Sequence, residues 1–428
     1  MSRSDLALLY RRGGFGLGGD ELDRLAGTSY GQAVDELLAG LTAPDTRADA
    51  VGAPTFTPYA KVAADEQARK ARAKQLLAEV AALQKWWMGR MLVSSTPLRE
   101  KLTLFWHGHF ATAVSKVRDP KLMYLQNQLF RTVGAGSFET LTQAVAKDGA
   151  MMVWLDTVTD KRQHPNENFA REMMELFTLG IGNYSQGDVT AAARAFTGWT
   201  YDRFEYRYTF RPGQHDFGSK TYLGQVGDWN GEDVIHIAVH QGPSARFVLA
   251  KLWSHFAYPI SPNDPLVSDL LDAYGPALDL TAALRAVFLH PAFRSLTTRT
   301  GLVKQPIEYL VGAARILGLD ADVARPAMAT ALGQALFDPP NVGGWGQNAY
   351  WLDTATAEIR LKVARYLAGK ADLSMVESTP VGARVDLAAW LLGLDGWGAT
   401  TARALDQVAD TPVDLVGLAL CSPEYVAA

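Results

Sequence analysis

The chain has almost no cysteine. Cys421 is its single one, so no disulfide can form within it and stability must come from a packed core. Charge of one sign is lacking as well: 41 Lys and Arg against 45 Asp and Glu leave a net −4, which gives no basic field for nucleic acid or an anionic lipid surface. No stretch reaches about 18 consecutive apolar residues, so no helical membrane span is expected. The opening MSRSDLALLYRRGGFG lacks the long apolar region and small-residue cleavage site of a signal peptide, which makes the cytoplasm the expected location of the form given. Walker A, G-x-S-x-G, H-E-x-x-H and paired C-x-x-C motifs are missing too, removing the usual support for phosphate-loop, α/β-hydrolase, zincin and zinc-ribbon chemistry. Gly14 to Gly19 satisfies G-x-G-x-x-G, but a helix-like segment precedes it and no βαβ unit surrounds it, so it reads as a helix-breaking turn.

What is present is apolar residue in helical spacing. With 428 residues and 48% apolar content, the composition supports a large core. Period-3.6 patterns over 20–41, 62–94, 98–113, 120–133, 138–146 and 166–179, and a second series from 233 to the end, predict an all-α protein. One large helical domain, 1–428, is expected. Strand signal is confined to the alternation Phe204, Tyr206, Tyr208, Phe210, which predicts one small β-hairpin inside an insertion at 200–230. The Pro- and Gly-bearing stretch 43–60 is expected to be a mobile loop.

Two histidines interrupt the apolar segment LREKLTLFWHGHFATA (98–113). On a helical wheel His109 falls within the stripe of Leu98, Leu102, Phe105, Trp106, Phe110 and Ala113, whereas His107 points the other way with Glu100 and Thr103. One imidazole is therefore expected to be buried, and a buried imidazole needs a hydrogen-bond partner, a metal or a shifted pKa. Positions i and i+2 diverge by about 200°, so the two histidines should not chelate one ion.

In the helix beginning near Asn166, the residues Asn168, Arg171, Glu172 and Glu175 share a polar side opposite Phe169, Met173, Met174, Leu176 and Phe177. They read either as a solvated face with an Arg171–Glu175 ion pair, or as a pocket wall with two carboxylates as metal ligands or as an acid and base. His215 and Asp216 open a loop, His-Asp-x-Gly-x-Lys, that puts a base, a carboxylate and a cation close together; a capped turn is the alternative. His236 and His240 stand at i, i+4 and could chelate, although a plain surface or core pair is commoner. The loop Asp338 to Trp345 reads as a packing plug or, through Asn341 and Trp345, as a pocket wall.

The blocks LREKLTLFWHGHF, PNENFAREMMELFTLGIGNYSQGDVTAAARAFTGW, QHDFGSKTYLG and DPPNVGGW, with LLYRRGGFG and KQPIEYLVGAARILG, resemble the signature blocks of the bacterial family called domain of unknown function 1800 over nearly the whole chain. The resemblance implies no particular activity. It implies frequent export, from which this chain departs by starting at the family domain. Phe177 stands where many relatives have histidine in an ELHTLG block, so a ligand role for that histidine cannot apply here.

Together these residues give three expectations. The first is a metal- or haem-dependent enzyme, an oxidoreductase, in which His107 or His109, Glu172, Glu175 and His215 hold iron, manganese, zinc or haem. There Arg171, Glu172, His215 and Asp216 would be catalytic, and Asn168 and Trp345 would touch the cofactor. The second is a metal-free hydrolase or lyase using Glu172 and Glu175, or His215 and Asp216, as acid and base. The third is a non-catalytic binding or accessory protein. The substrate would be a small molecule, peptide or saccharide, and the site residues should gather within about 10 Å of one another.

Overall fold

A computed structural model describes residues 2–59 and 65–427. Helices dominate it, as the spacing predicts, and among the described residues no helix is long and apolar enough to cross a membrane. Many helices begin where a side chain can accept an otherwise orphaned backbone amide. Asp65 accepts from the amide of Ala68 at the start of the helix Glu66–Val93, and Asp119 does the same for Pro120–Val133. The predicted helix 62–94 thus agrees from Glu66 onward, while 62–64 lie outside the described residues. The stretch 43–60 contains a short helix, Thr46–Asp49, capped by Asp45, followed by residues without regular structure, and residue 60 lies outside the described residues.

The helix Pro97–His109 is the axle of the fold, with proline at its first turn where a missing amide costs nothing. Leu98, Leu102, Phe105 and Trp106 enter a core built with Phe138, Trp199, Leu249, Trp253 and Phe288. Leu104, on the other side, enters a second core with Trp87, Leu310, Leu367 and Leu415. Each such large apolar side chain contributes roughly 1.5–3 kcal/mol by leaving water. A helix packed on both sides leaves no solvated face for its polar residues. Both His107 and His109 are buried, not one of the two, and so is Glu100.

Glu100 survives there because donors surround it. Its carboxylate accepts from Trp87 Nε1 at 2.9 Å, Arg90 Nε at 3.1 Å and the Arg131 guanidinium at 2.9 Å on each oxygen. Burial pushes the carboxyl up, but Arg131 and Arg90 outweigh burial and leave it below the ordinary range.

The strand content differs from expectation in one respect, for there are two hairpins. Strand β1 (Trp199–Asp202) pairs antiparallel with β2 (Arg207–Phe210), Trp199 facing Phe210 and Tyr201 facing Tyr208. Phe204 and Tyr206 belong to the turn, Tyr206 at φ 51°, so only part of the aromatic alternation is strand. Strands β3 (Lys220–Tyr222) and β4 (Gln225–Gly227) form the second hairpin. Three residues apiece are too few to show a period of two.

A cation-rich cleft as the candidate functional site

Between the two cores the axle helix borders a cleft. Its wider chamber, about 280 Å³, is lined by Phe105, His109, Lys251, Ser254, His255 and Trp345 among others. Ser254, His255, Gln305 and Gln347 continue into a polar neck of about 30 Å³, whose further walls include Arg11, Arg12, Lys101, Lys304 and Glu308. The neck has room for about one small polar group.

Three segments position the chamber. In Gly242–Phe256, Lys251 and His255 are one turn apart on the same face. The segment Met173–Thr178 winds as a π-helix, with the Leu179 amide reaching back five residues to the Met174 carbonyl at 2.8 Å. Carbonyls of this widened turn are left for side chains: Phe177 accepts from His109 Nε2 at 2.9 Å and Leu176 from Lys251 Nζ at 3.2 Å. The third segment is the loop ending in Gly343, Gly344 and Trp345. Gly344 has φ 83°, and a Cβ there would lie 2.2 Å from the Gly108 carbonyl oxygen, so glycine is what lets the loop cross the axle helix.

A carbonyl only accepts, so His109 carries its proton on Nε2 and presents an unprotonated Nδ1, which is buried and has no protein partner. Burial, followed by the nearby charge of Lys251, holds His109 well below its ordinary pKa. His255 is held at about 4 by burial, and its Nε2 is also unpartnered. Burial brings Lys251 down to about 8. In the neck Lys101 meets Glu308 at 2.9 Å. Among the described residues no second carboxylate lines the neck, and Lys304 lies 3.4 Å above the Tyr425 ring, its pKa pulled far down by burial and then by Arg11 and Lys101. Buried Arg11 Nε and Arg12 Nε lack partners. Four basic side chains, Lys304 among them with its charge disfavoured by burial, thus share one acid in the neck, with Lys251 beyond it.

Of the residues singled out from sequence, His109 and Trp345 line the cleft, and the others do not. His107 packs against Trp87, Phe337 and Trp345, and its Nε2 lone pair accepts from the Phe337 amide at 3.2 Å. Arg171 does not pair with Glu175. It pairs with Glu167 at 3.2 Å, both side chains nearly two-fifths exposed, because the wide π turn carries Glu175 off Arg171's line. Glu175 instead accepts from the Tyr184 hydroxyl. Half-buried Glu172 is pushed up by burial and by Glu175, and Asn168 is exposed.

His215 is buried with Nδ1 donating to the Thr197 carbonyl at 2.7 Å, and Asp216 takes a two-pronged bond from Arg194 at 2.7 and 3.1 Å. Asp216 also accepts from the Gly218 amide, and Lys220 Nζ donates to the carbonyls of Asp216 and Gly218. That is the capped-turn arrangement. Reasoning from sequence missed Lys251, His255, Lys101, Lys304, Arg11 and Arg12. The i, i+4 spacing of Lys251 and His255 in KLWSHF was the available signal.

The sequence profile of a family described as "Protein of unknown function (DUF1800)" matches residues 8–427. No curated protein and no solved structure matches the chain.

Proposed function

The chain belongs to the DUF1800 family, whose description names no activity, and from the cleft we propose that it is a metal-free lyase or hydrolase acting on a small carboxylate with an apolar body. The observation that carries this reading is the imbalance in the neck, where four basic side chains line the walls with one carboxylate, Glu308, among the described residues. Buried like charges repel strongly, and a bound anion relieves them. The carboxylate would sit in the neck and the body against Phe105, Leu104, Ile260 and Trp345 in the chamber. Lys251, near pKa 8, would act as base there in its neutral form, with the unprotonated His109 Nδ1 as a hydrogen-bond acceptor beside it. A divalent cation in the same cleft would meet repulsion, which favours this reading over a metal-dependent oxidoreductase at His109.

The test compares 3-phenylpropionate with its neutral counterpart 3-phenylpropanol by calorimetry on chelator-treated protein. The carboxylate should bind and the alcohol should not, with binding lost in Lys304→Met. Phenylpyruvate incubated in D2O should then take up deuterium beside its carbonyl faster than in buffer, and Lys251→Met should abolish the excess. Equal binding of acid and alcohol, or of neither, refutes the proposal. Carboxylate binding without exchange reduces it to a binding protein.

A further inference from the structure

We propose that Glu139, His236 and His240 form a divalent transition-metal site joining the helix Phe138–Ala146 to the helix Gly231–Val239. His236 and His240 are one turn apart, and their rings lie 4.5 Å from each other. Both turn to a single carboxylate on the neighbouring helix. His236 Nδ1 is 2.8 Å from Glu139 Oε1, and His240 Nε2 is 3.0 Å from Oε2. Among the described residues this is the only group of three His, Cys, Asp or Glu side chains whose ligand atoms all lie within 4.8 Å of one another.

The spacing matches coordination. With metal–ligand bonds of about 2.1 Å, neighbouring ligand atoms of an octahedral site stand about 3.0 Å apart, and those of a tetrahedral site about 3.4 Å. The N···O separations already fall near the first value, so an ion enters with small ring rotations. Both imidazoles are partly exposed, His236 with 59% of its side-chain surface open, so each can move its proton to the far nitrogen and free the near lone pair.

Two imidazoles and one carboxylate select zinc and its transition-metal neighbours over magnesium or calcium, which prefer all-oxygen sites. The exposed side leaves positions for water, so the ion is both a clamp between two helices and an open Lewis-acid centre. Glu232, one turn before His236 on the same helix, is held by Lys147 at 2.8 Å.

Tag-free full-length protein, stripped with chelator, is titrated with Zn2+ against a chromophoric competitor at pH 7.5. One equivalent should bind, excess Mg2+ should not displace it, and Co2+ in its place should give visible ligand-field bands. His236→Ala and His240→Ala should each weaken Zn2+ by at least about tenfold, and Glu139→Gln by a similar factor. His290→Ala, which removes a histidine paired with Asp269 elsewhere, should change nothing. All four are surface or half-buried changes, and circular dichroism confirms their folding. Zn2+ binding that is unsaturable, or equal in wild type and the three ligand variants, overturns the site. Carboxylate binding in the cleft is measured separately and stays intact in His240→Ala, so the two proposals fail independently.

Discussion

Replacing Glu100 by glutamine removes one charge and almost no volume from the buried cluster on the axle helix. Four donor contacts converge on this carboxylate, from Trp87, Arg90 and twice from Arg131. Both guanidiniums are nearly sealed from water, at 6% and 8% side-chain exposure. Arg90 keeps Asp49 at 2.9 Å and the Ala48 carbonyl, whereas Arg131 keeps only neutral Asn127 and Gln128. The uncompensated charge is therefore mainly that of Arg131, and breaking a buried pair in this way costs about 3–5 kcal/mol. Spread over a chain of this length, that is a fall in melting temperature of about 3–5 °C at pH 7. Differential scanning calorimetry measures it, with Glu167→Gln as a control, since its exposed pair with Arg171 should contribute no more than about 1 kcal/mol. The pH dependence has a definite sign. Glu100 has a folded pKa below its unfolded one, so its contribution is present above about pH 4.3 and is lost as pH falls through the folded value. The gap between wild type and variant should narrow in acid. A melting temperature within 1 °C of wild type at pH 7, or a gap that widens below pH 4, refutes the account.

Lys251→Met should raise stability at pH 7, because the folded protein holds this amine at about 8, below its ordinary value near 10.4. The penalty for charging it is complete below pH 8 and fades as pH rises towards 10, so the variant's advantage in a urea melt should vanish by about pH 10.5. Gly344→Ala should cost about 2 kcal/mol or more and weaken carboxylate binding, since both φ 83° and the Gly108 carbonyl oppose a Cβ. Gly343→Ala, on an exposed residue with a normal φ, should stay within about 0.5 kcal/mol.

The helical architecture was legible because apolar spacing is a local property, and so was the burial of His109 in its stripe. His107 and Glu100 were not, because a wheel drawn for one helix assumes that one side meets water. Here the second core, with Trp87 and the Phe337 loop, closes over that side. The Arg171–Glu175 pairing failed for a subtler reason, since a π turn preserves sequence order while changing the angular spacing on which the i, i+4 rule depends. In the His215 loop the residues were correctly seen as clustered. What the sequence could not supply was Arg194, the cation that occupies Asp216. The cleft was least visible, because Arg11, Lys101, Lys251 and Lys304 come from four separate segments and only folding brings them to shared walls.

Two buried clusters of charge border the same helix, and their difference is the strongest physical argument for where function lies. Around Glu100 two arginines face Glu100 and Asp49, the charges balance, and removing a member can only harm the fold. In the neck the basic side chains of Arg11, Arg12, Lys101 and Lys304 share one lining carboxylate among the described residues, Glu308, and Arg11 Nε and Arg12 Nε are left without partners. Desolvating that excess works against stability, and an apolar lining of the same volume would be at least as stable. A fold that balances its charges around Glu100, the residue next to Lys101 on the same helix, carries the imbalance where an arriving anion supplies the missing charge.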